Sequence, residues 1–206
     1  MTTLGGARFL VLDGIDGCGK STQARMLAEA LTHSRGVPAL HLREPGGTKV
    51  GERIRELLLS REHELDAGVE LLLFAAARRQ TLRELVRPAL AAGRDVVCER
   101  FHASTFAYQA IASGLPEDHV LSVLLRWADD PRPDTLILLD IDPDEAARRR
   151  AGFEDRIEAK GLEFQRRVAE GYRRFARLQP DTIVIDGSAR ADEVARAVRV
   201  AVGLGG

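Results

Sequence analysis

Several things are scarce in this chain of 206 residues. It has two cysteines, Cys18 and Cys98, at no spacing that suits a metal site. They read as reduced thiols of a cytoplasmic protein rather than as a disulfide framework. Aromatic residues make up 5%, and no basic, aromatic-rich face for nucleic acid is visible. Net charge is almost nil, −1 from 30 basic and 31 acidic residues, which argues against a polyanion-binding surface spread over the whole fold. No run approaches the roughly 18 apolar residues that cross a membrane. Asp13 and Asp16 interrupt the first apolar run too early for a secretory signal. Repeats and low-complexity tracts are missing as well. What is present is 45% hydrophobic residues, enough to bury a core in one domain spanning residues 1–206.

One segment stands out. Gly14-Ile15-Asp16-Gly17-Cys18-Gly19-Lys20-Ser21 matches the phosphate-binding pattern G-x-x-x-x-G-K-[ST] in full. The apolar run at 9–12 before it reads as a buried strand. Residues 21–33 after it read as a helix with Ala24, Leu27, Ala28 and Leu31 on one face. Glycines let the backbone curl until several N–H groups converge on one anion, and the helix N-terminus adds its positive end. Lys20 is expected to reach the β- and γ-phosphates of ATP and Ser21 to hold Mg²⁺.

Strand and helix patterns alternate along the rest. Further strands are predicted at 37–42, 95–98, 135–141 and 182–185. Helices are predicted at 50–59, 67–92, 103–113 and 118–127, then after Asp142, through Phe164 to Phe175, and at the C-terminus. Thr48 is placed to cap the helix at 50, although Glu52 falls one position too late for a capping box. Asp142 reads as an N-cap with Pro143 at the first helical position. Pro88 should kink or split the long helix. The alternation implies an α/β fold, a five-stranded parallel sheet with helices on both faces, and ligands outside the carboxyl ends of the strands. The clusters 13–21, 43–48 and 99–100 all fall on that rim.

Each remaining cluster has a functional and a plainer reading. Arg43-Glu44-Pro45-Gly46-Gly47-Thr48 makes a sharp turn that can bring a carboxylate near the phosphate site, or serves only as a strand-to-helix connection. Phe74 and Arg78 share one helix face and can grip a planar base, yet an aromatic inside Leu71–Ala77 suits a core equally well. Arg100 at the end of a central strand suits a phosphate clamp. Thr105 with Gln109, and Ser104 with Tyr108, are i,i+4 pairs able to read a pyrimidine edge, or simply a polar helix face. Arg148-Arg149-Arg150 can compensate a helix C-terminus or close over a triphosphate.

Four segments together are specific: residues 13–22, residues 43–48, Glu99-Arg100-Phe101 through Ala107-Tyr108-Gln109, and Asp155-Arg156-Ile157-Glu158. In these, and in their order, the chain resembles the thymidylate kinase family over nearly its whole length. The resemblance implies a P-loop NTPase fold with a short lid at about 148–158. It also implies transfer of a phosphoryl group from ATP, with Mg²⁺, to dTMP in a cytoplasmic homodimer. Gly14, Ile15, Asp16, Gly17, Cys18, Gly19, Lys20, Ser21 and Thr22 correspond to the ATP-binding loop. Arg55 and Arg100 correspond to residues on the dTMP phosphate, and Glu44 to the loop beside the acceptor. Phe74, Arg78, Thr105 and Gln109 correspond to positions against thymine. Tyr108 corresponds to a residue against the sugar and Asp16 to one on the 3′-hydroxyl. Glu99 stands where the family has Asp, as a carboxylate for Mg²⁺-bound water or for steering Arg100. Gly17 occupies the place of a loop arginine found in part of the family, so Arg149, Arg150 and Arg156 are the expected catalytic lid arginines. A deoxynucleoside kinase, another nucleoside monophosphate kinase and an ATP-binding switch are the alternative readings.

Overall fold

The computed structural model describes residues 6–149, 156–157 and 160–205. Strands β1 (Phe9–Asp13), β2 (Leu40–Arg43), β3 (Val96–Glu99), β4 (Thr135–Asp140) and β5 (Ile183–Asp186) form a sheet in the order β2-β3-β1-β4-β5. Every neighbouring pair is parallel, with Phe9 opposite Val96 and Leu10 opposite Thr135. Central β1 is buried throughout. Phe9 and Val11 point to one apolar layer with Leu82, Val86, Ala89 and Phe101, while Leu10 and Leu12 point to the other with Ala24, Leu27, Leu31 and Val198. A strand covered on both faces needs such an unbroken apolar run. β2 begins at Leu40, later than the predicted 37. Pro38 has no N–H for the ladder, and the first bond is Leu40 N–H to the Asp95 carbonyl at 2.8 Å.

The helices follow local signals. α1 (Lys20–Arg35) starts directly from the glycine loop. α2 (Lys49–Leu59) is capped by Thr48 Oγ1, which accepts from Gly51 N at 2.8 Å. Glu52 closes no capping box and instead accepts from Gly47 N at 2.6 Å, bracing the turn ahead of the helix. Asp66 caps α3 (Ala67–Thr81) through Gly68 N and Val69 N. The chain then widens into a π-helical turn over Leu82–Val86 and continues as α4 (Arg87–Ala91). This is how Pro88 is absorbed. Proline cannot donate and its ring crowds the carbonyl four residues back. The wide turn, with Arg87 N–H reaching Leu82 O, makes room for it without ending the helix.

A second π-helical stretch was not foreseen: α5 (His102–Thr105) runs on as Phe106–Ala112 with the wider pitch. α6 (Glu117–Trp127), α7 (Pro143–Arg149), α8 (Gly161–Leu178) and α9 (Ala191–Ala201) complete the fold. Asp142 Oδ1 accepts from Asp144 N and Glu145 N, as its sequence position predicts. α8 lies against the 106–112 stretch. Gly171 makes that approach possible, since a Cβ there would stand 2.7 Å from Ala107 Cα.

Candidate active site

The carboxyl ends of β1, β2 and β3 deliver the marked clusters to one rim. Residues 14–19 bridge β1 and α1, and no side chain caps the α1 N-terminus, so its backbone N–H groups face outward as an anion cradle. Gly17, at φ +90°, presses on α7: a Cβ would lie 2.2 Å from the Ala146 carbonyl oxygen. Lys20 is buried, and its ammonium donates to Ile15 O at 3.3 Å and Asp16 Oδ1 at 3.0 Å. Ser21 Oγ donates to Glu99 Oε2, while Glu99 Oε1 meets His41 Nε2 at 2.9 Å. His41 was not anticipated. Among the described residues no group of three or more His, Cys, Asp or Glu side chains gathers as a metal site. Ser21 and Glu99 bring hydroxyl and carboxylate oxygens together beside the phosphate loop. That donor chemistry fits Mg²⁺, which takes few protein ligands and completes its shell with water and phosphate oxygens.

Asp13, at the end of β1, organises the next turn. Fully buried, its Oδ2 accepts from Phe101 N and Ser104 N. Its Oδ1 accepts from Gly14 N, Ser104 Oγ and Tyr172 OH. These bonds hold Arg100 at φ +69°, a left-handed conformation rare for a residue with a Cβ. Such strain persists only where surrounding contacts fix it. The Arg100 guanidinium pairs with Asp16 Oδ1, reaches Ser104 Oγ at 3.2 Å, and lies 5.6 Å over the Tyr108 ring. Tyr108 OH donates to Asp16 Oδ2 at 3.1 Å. Burial works to raise the Asp16 carboxyl, but Arg100 and Lys20 together outweigh it and hold it well below the usual carboxylate range.

A second polar group forms behind this one. Arg78 Nε donates to Glu44 Oε2 at 2.6 Å, and its Nη2 donates to Phe101 O at 3.0 Å and Thr105 Oγ1 at 3.2 Å. Burial pushes the Glu44 carboxyl up despite that neighbour. Arg78 Nη1, Glu44 Oε1 and Gln109 Oε1 are buried with no protein partner, a costly state unless a ligand completes them. All three side chains line one cavity of about 630 Å³, counted with its mouth. Asp16, Arg55, Phe74, Arg100, Thr105 and Tyr108 line it too, so every residue expected on the acceptor side meets in one space. Arg43 and Ile157, named in the marked segments but given no role, also line it, as does Leu59, which no motif marked. Tyr172, within the helix predicted through Phe164 to Phe175, was given no role by sequence, yet its hydroxyl belongs to the Asp13 group.

The described lid arginines are engaged with neighbouring groups of the protein. Arg149 Nη1 donates to Gly187 O at 2.7 Å, and its Nη2 donates to Ser188 O and Glu145, fastening α7 to the turn after β5. Arg156 Nε donates to Leu58 O at 2.9 Å and its Nη1 meets Glu70 Oε1 at 2.8 Å. The Glu70 carboxylate and the Leu58 carbonyl thus hold two of its guanidinium nitrogens, while Nη2 is buried with no protein partner. Arg150, with Asp155 and Glu158, lies outside the described residues.

A glycine loop feeding a helix, on a parallel sheet of this order, beside a cavity that pairs a cationic clamp with a planar-base slot, defines a P-loop kinase of small nucleotides. The family model described as thymidylate kinase matches residues 12–198. The chain is 43% identical over 182 residues to the thymidylate kinase of Caldanaerobacter subterraneus subsp. tengcongensis, covering 87% of each. It is 42% identical over 200 residues to that of Jannaschia sp., covering 95% of each. The crystal structure of thymidylate kinase from Ehrlichia chaffeensis superposes with a TM-score of 0.78 at 32% identity, over 96% of this chain and 99% of that one. The chain belongs to the thymidylate kinase family.

Proposed function

We propose that this protein transfers the γ-phosphoryl group of ATP to dTMP, giving ADP and dTDP. The observation that carries the reading is the single cavity in which Asp16 and Arg100, joined to Lys20 of the phosphate loop, adjoin Phe74, Arg78 and Gln109. The acceptor is already an anionic phosphate oxygen, so no strong base is required. The obstacles are repulsion between two polyanions and alignment for in-line transfer.

The loop N–H groups of 14–22 and Lys20 bind the ATP phosphates. Mg²⁺, held by Ser21 with Glu99 beside it, neutralises phosphate charge when bound. Arg100 and Arg55 hold the dTMP phosphate. Asp16, ionised between two cations, tethers Arg100 and is free to accept from the sugar 3′-hydroxyl. Phe74 stacks on the base, and Arg78, Thr105 and Gln109 meet its edge. Tyr108 packs against the sugar where a 2′-hydroxyl would stand. The segment at about 148–158 acts as a lid within one catalytic domain. Because α7 abuts Gly17, we assign Arg149 at its end, and Arg150 next in sequence, to the transferring phosphoryl, with closure excluding water.

We further propose a cytoplasmic homodimer. Among the described residues no helix is long and apolar enough to cross a membrane, and Cys18 and Cys98 are free thiols. Leu72 on α3, and Leu125 and Trp127 on the α6 packed beside it, are more than half exposed, an apolar surface suited to a second copy.

ADP release measured across a panel of nucleoside monophosphates, with thymidine included, tests the reaction. The expected result is the highest kcat/KM with dTMP and none with thymidine. Equal or better turnover of another monophosphate, or of thymidine, overturns it.

A further inference from the structure

Glu70 carries no motif in the sequence, yet it joins the lid side of the molecule to the base slot. It lies in the first turn of α3, 1% exposed. Its Oε1 receives Arg156 Nη1 at 2.8 Å and Lys160 Nζ at 3.3 Å. Its Oε2 receives Gln109 Nε2 at 2.9 Å. A carboxylate set between two cations only accepts, so the Gln109 amide must turn its nitrogen to Glu70 and its carbonyl oxygen away. That oxygen is buried and unpartnered, on a side chain that lines the cavity. Arg78 lines the same cavity with a buried, unpartnered Nη1.

One fixed acceptor and one fixed donor match a ring N–H beside a carbonyl, as thymine offers. They mismatch cytosine, whose ring nitrogen accepts and whose amino group donates. A site built to pair with a given edge rejects its mismatch because buried groups are then left unpaired. Without Glu70 the amide of Gln109 has nothing to stop it turning over, and the match is lost.

We propose that Glu70 is a positioning residue that locks the acceptor face of Gln109 toward the pyrimidine. Through Arg156 and Lys160 it also couples the end of α2 and the start of α8 to reading of the base. This rests on the dTMP reading above. Arg156 carries the connection further, since its Nε also holds the Leu58 carbonyl at the end of α2, next to cavity-lining Leu59. Lys160 stands 4.8 Å over the Phe164 ring, which in turn lies 6.1 Å from Tyr108 at the sugar side. Base, sugar and lid contacts thus converge on one buried carboxylate.

Glu70→Gln tests this. It keeps the volume but presents an amide that can donate or accept, so Gln109 is freed. The kcat/KM ratio of dTMP over dCMP is expected to fall at least about tenfold, chiefly through a higher KM for dTMP, with KM for ATP unchanged. A residue that merely supported the fold would slow both nucleotides together and leave the ratio intact. A folded Glu70→Gln protein whose ratio stays within about twofold of the unsubstituted one overturns the proposal. Should the variant fail to fold, hydrogen exchange on the unsubstituted protein decides. Saturating dTMP is expected to protect the Arg156 and Lys160 amides more than saturating dCMP does, and equal protection overturns the coupling. If the unsubstituted protein shows no preference for dTMP, the substrate reading fails and this proposal with it. If the preference exists and survives Glu70→Gln, this proposal alone fails.

Discussion

Arg100 shows what a single residue contributes and what its position costs. The backbone at φ +69° is tolerated because Asp13 ties down the amides of Phe101 and Ser104 that follow it. In return the guanidinium lines the cavity and stays cationic: burial works against the charge, but Asp16, Tyr108, Tyr172 and Asp13 together outweigh it. Arg100→Ala is expected to lower kcat/KM for dTMP by at least about a hundredfold, roughly 2.7 kcal/mol of transition-state stabilisation. The fold should survive, because Asp16 retains Lys20 and Tyr108 as partners. Near-normal kcat/KM in the folded variant would remove Arg100 from the clamp.

His102, two residues on, makes a different prediction. Burial, with Arg78 nearby, lowers its pKa from 6.5 to about 3, and the Asp129 carboxylate, 3.6 Å from Nδ1, does not reverse this. The folded pKa is below the unfolded one, so between these values the unfolded chain binds one more proton than the fold. Stability from this site is therefore full above pH 6.5 and falls by about 1.4 kcal/mol per pH unit as acid is added below it. Urea unfolding of the native protein and His102→Gln from pH 7 downward checks it: the gap between the two should narrow as the pH drops. Parallel curves would exclude the effect.

At the scale of elements, local rules wrote most of the fold into the sequence. β1 is readable because a strand buried on both faces cannot alternate, and Asp142 with Pro143 marks α7 by chemistry that needs no tertiary partner. The π-helical stretches are different. Their wide turns are set by what lies across from them, Pro88 on its own chain in one case and α8 in the other, and periodicity over a short window cannot distinguish them from α-helix. The second stretch carries Tyr108 and Gln109, so a pitch that periodicity could not foresee sets where two cavity-lining side chains stand. The phosphate loop was legible as chemistry, whereas its contact with α7 was not. Gly17→Ala adds a Cβ 2.2 Å from a backbone carbonyl at a positive φ. It is expected to cost about 1–3 kcal/mol of strain and to weaken ATP binding at least as strongly as it lowers the melting temperature. Unchanged ATP affinity by calorimetry would show that the loop accommodates the methyl group.

The whole molecule separates what motifs can convey from what only packing can. That Asp16 and Arg100 stand on the rim was readable from their strand-end positions, and that Arg78 shares a face with Phe74 was readable from helical spacing. The pairing of Arg156 with Glu70 was not, because an arginine near a lid motif fits any nearby anion, and Glu70 sits in an apolar-looking helix with no motif of its own. Asp13 and Tyr172, 159 positions apart in sequence, illustrate the same limit: nothing local announces that they share a hydrogen bond.

The central claim is that one cavity fixes a thymine nucleotide with its phosphate turned to the loop that holds the donor. A crystal containing dTMP and a non-hydrolysable ATP analogue tests it most directly. The expected structure has the dTMP phosphate at hydrogen-bond distance from Arg100 and facing Lys20, with the base against Phe74 and Arg78. A dTMP phosphate directed away from Lys20 would contradict the account.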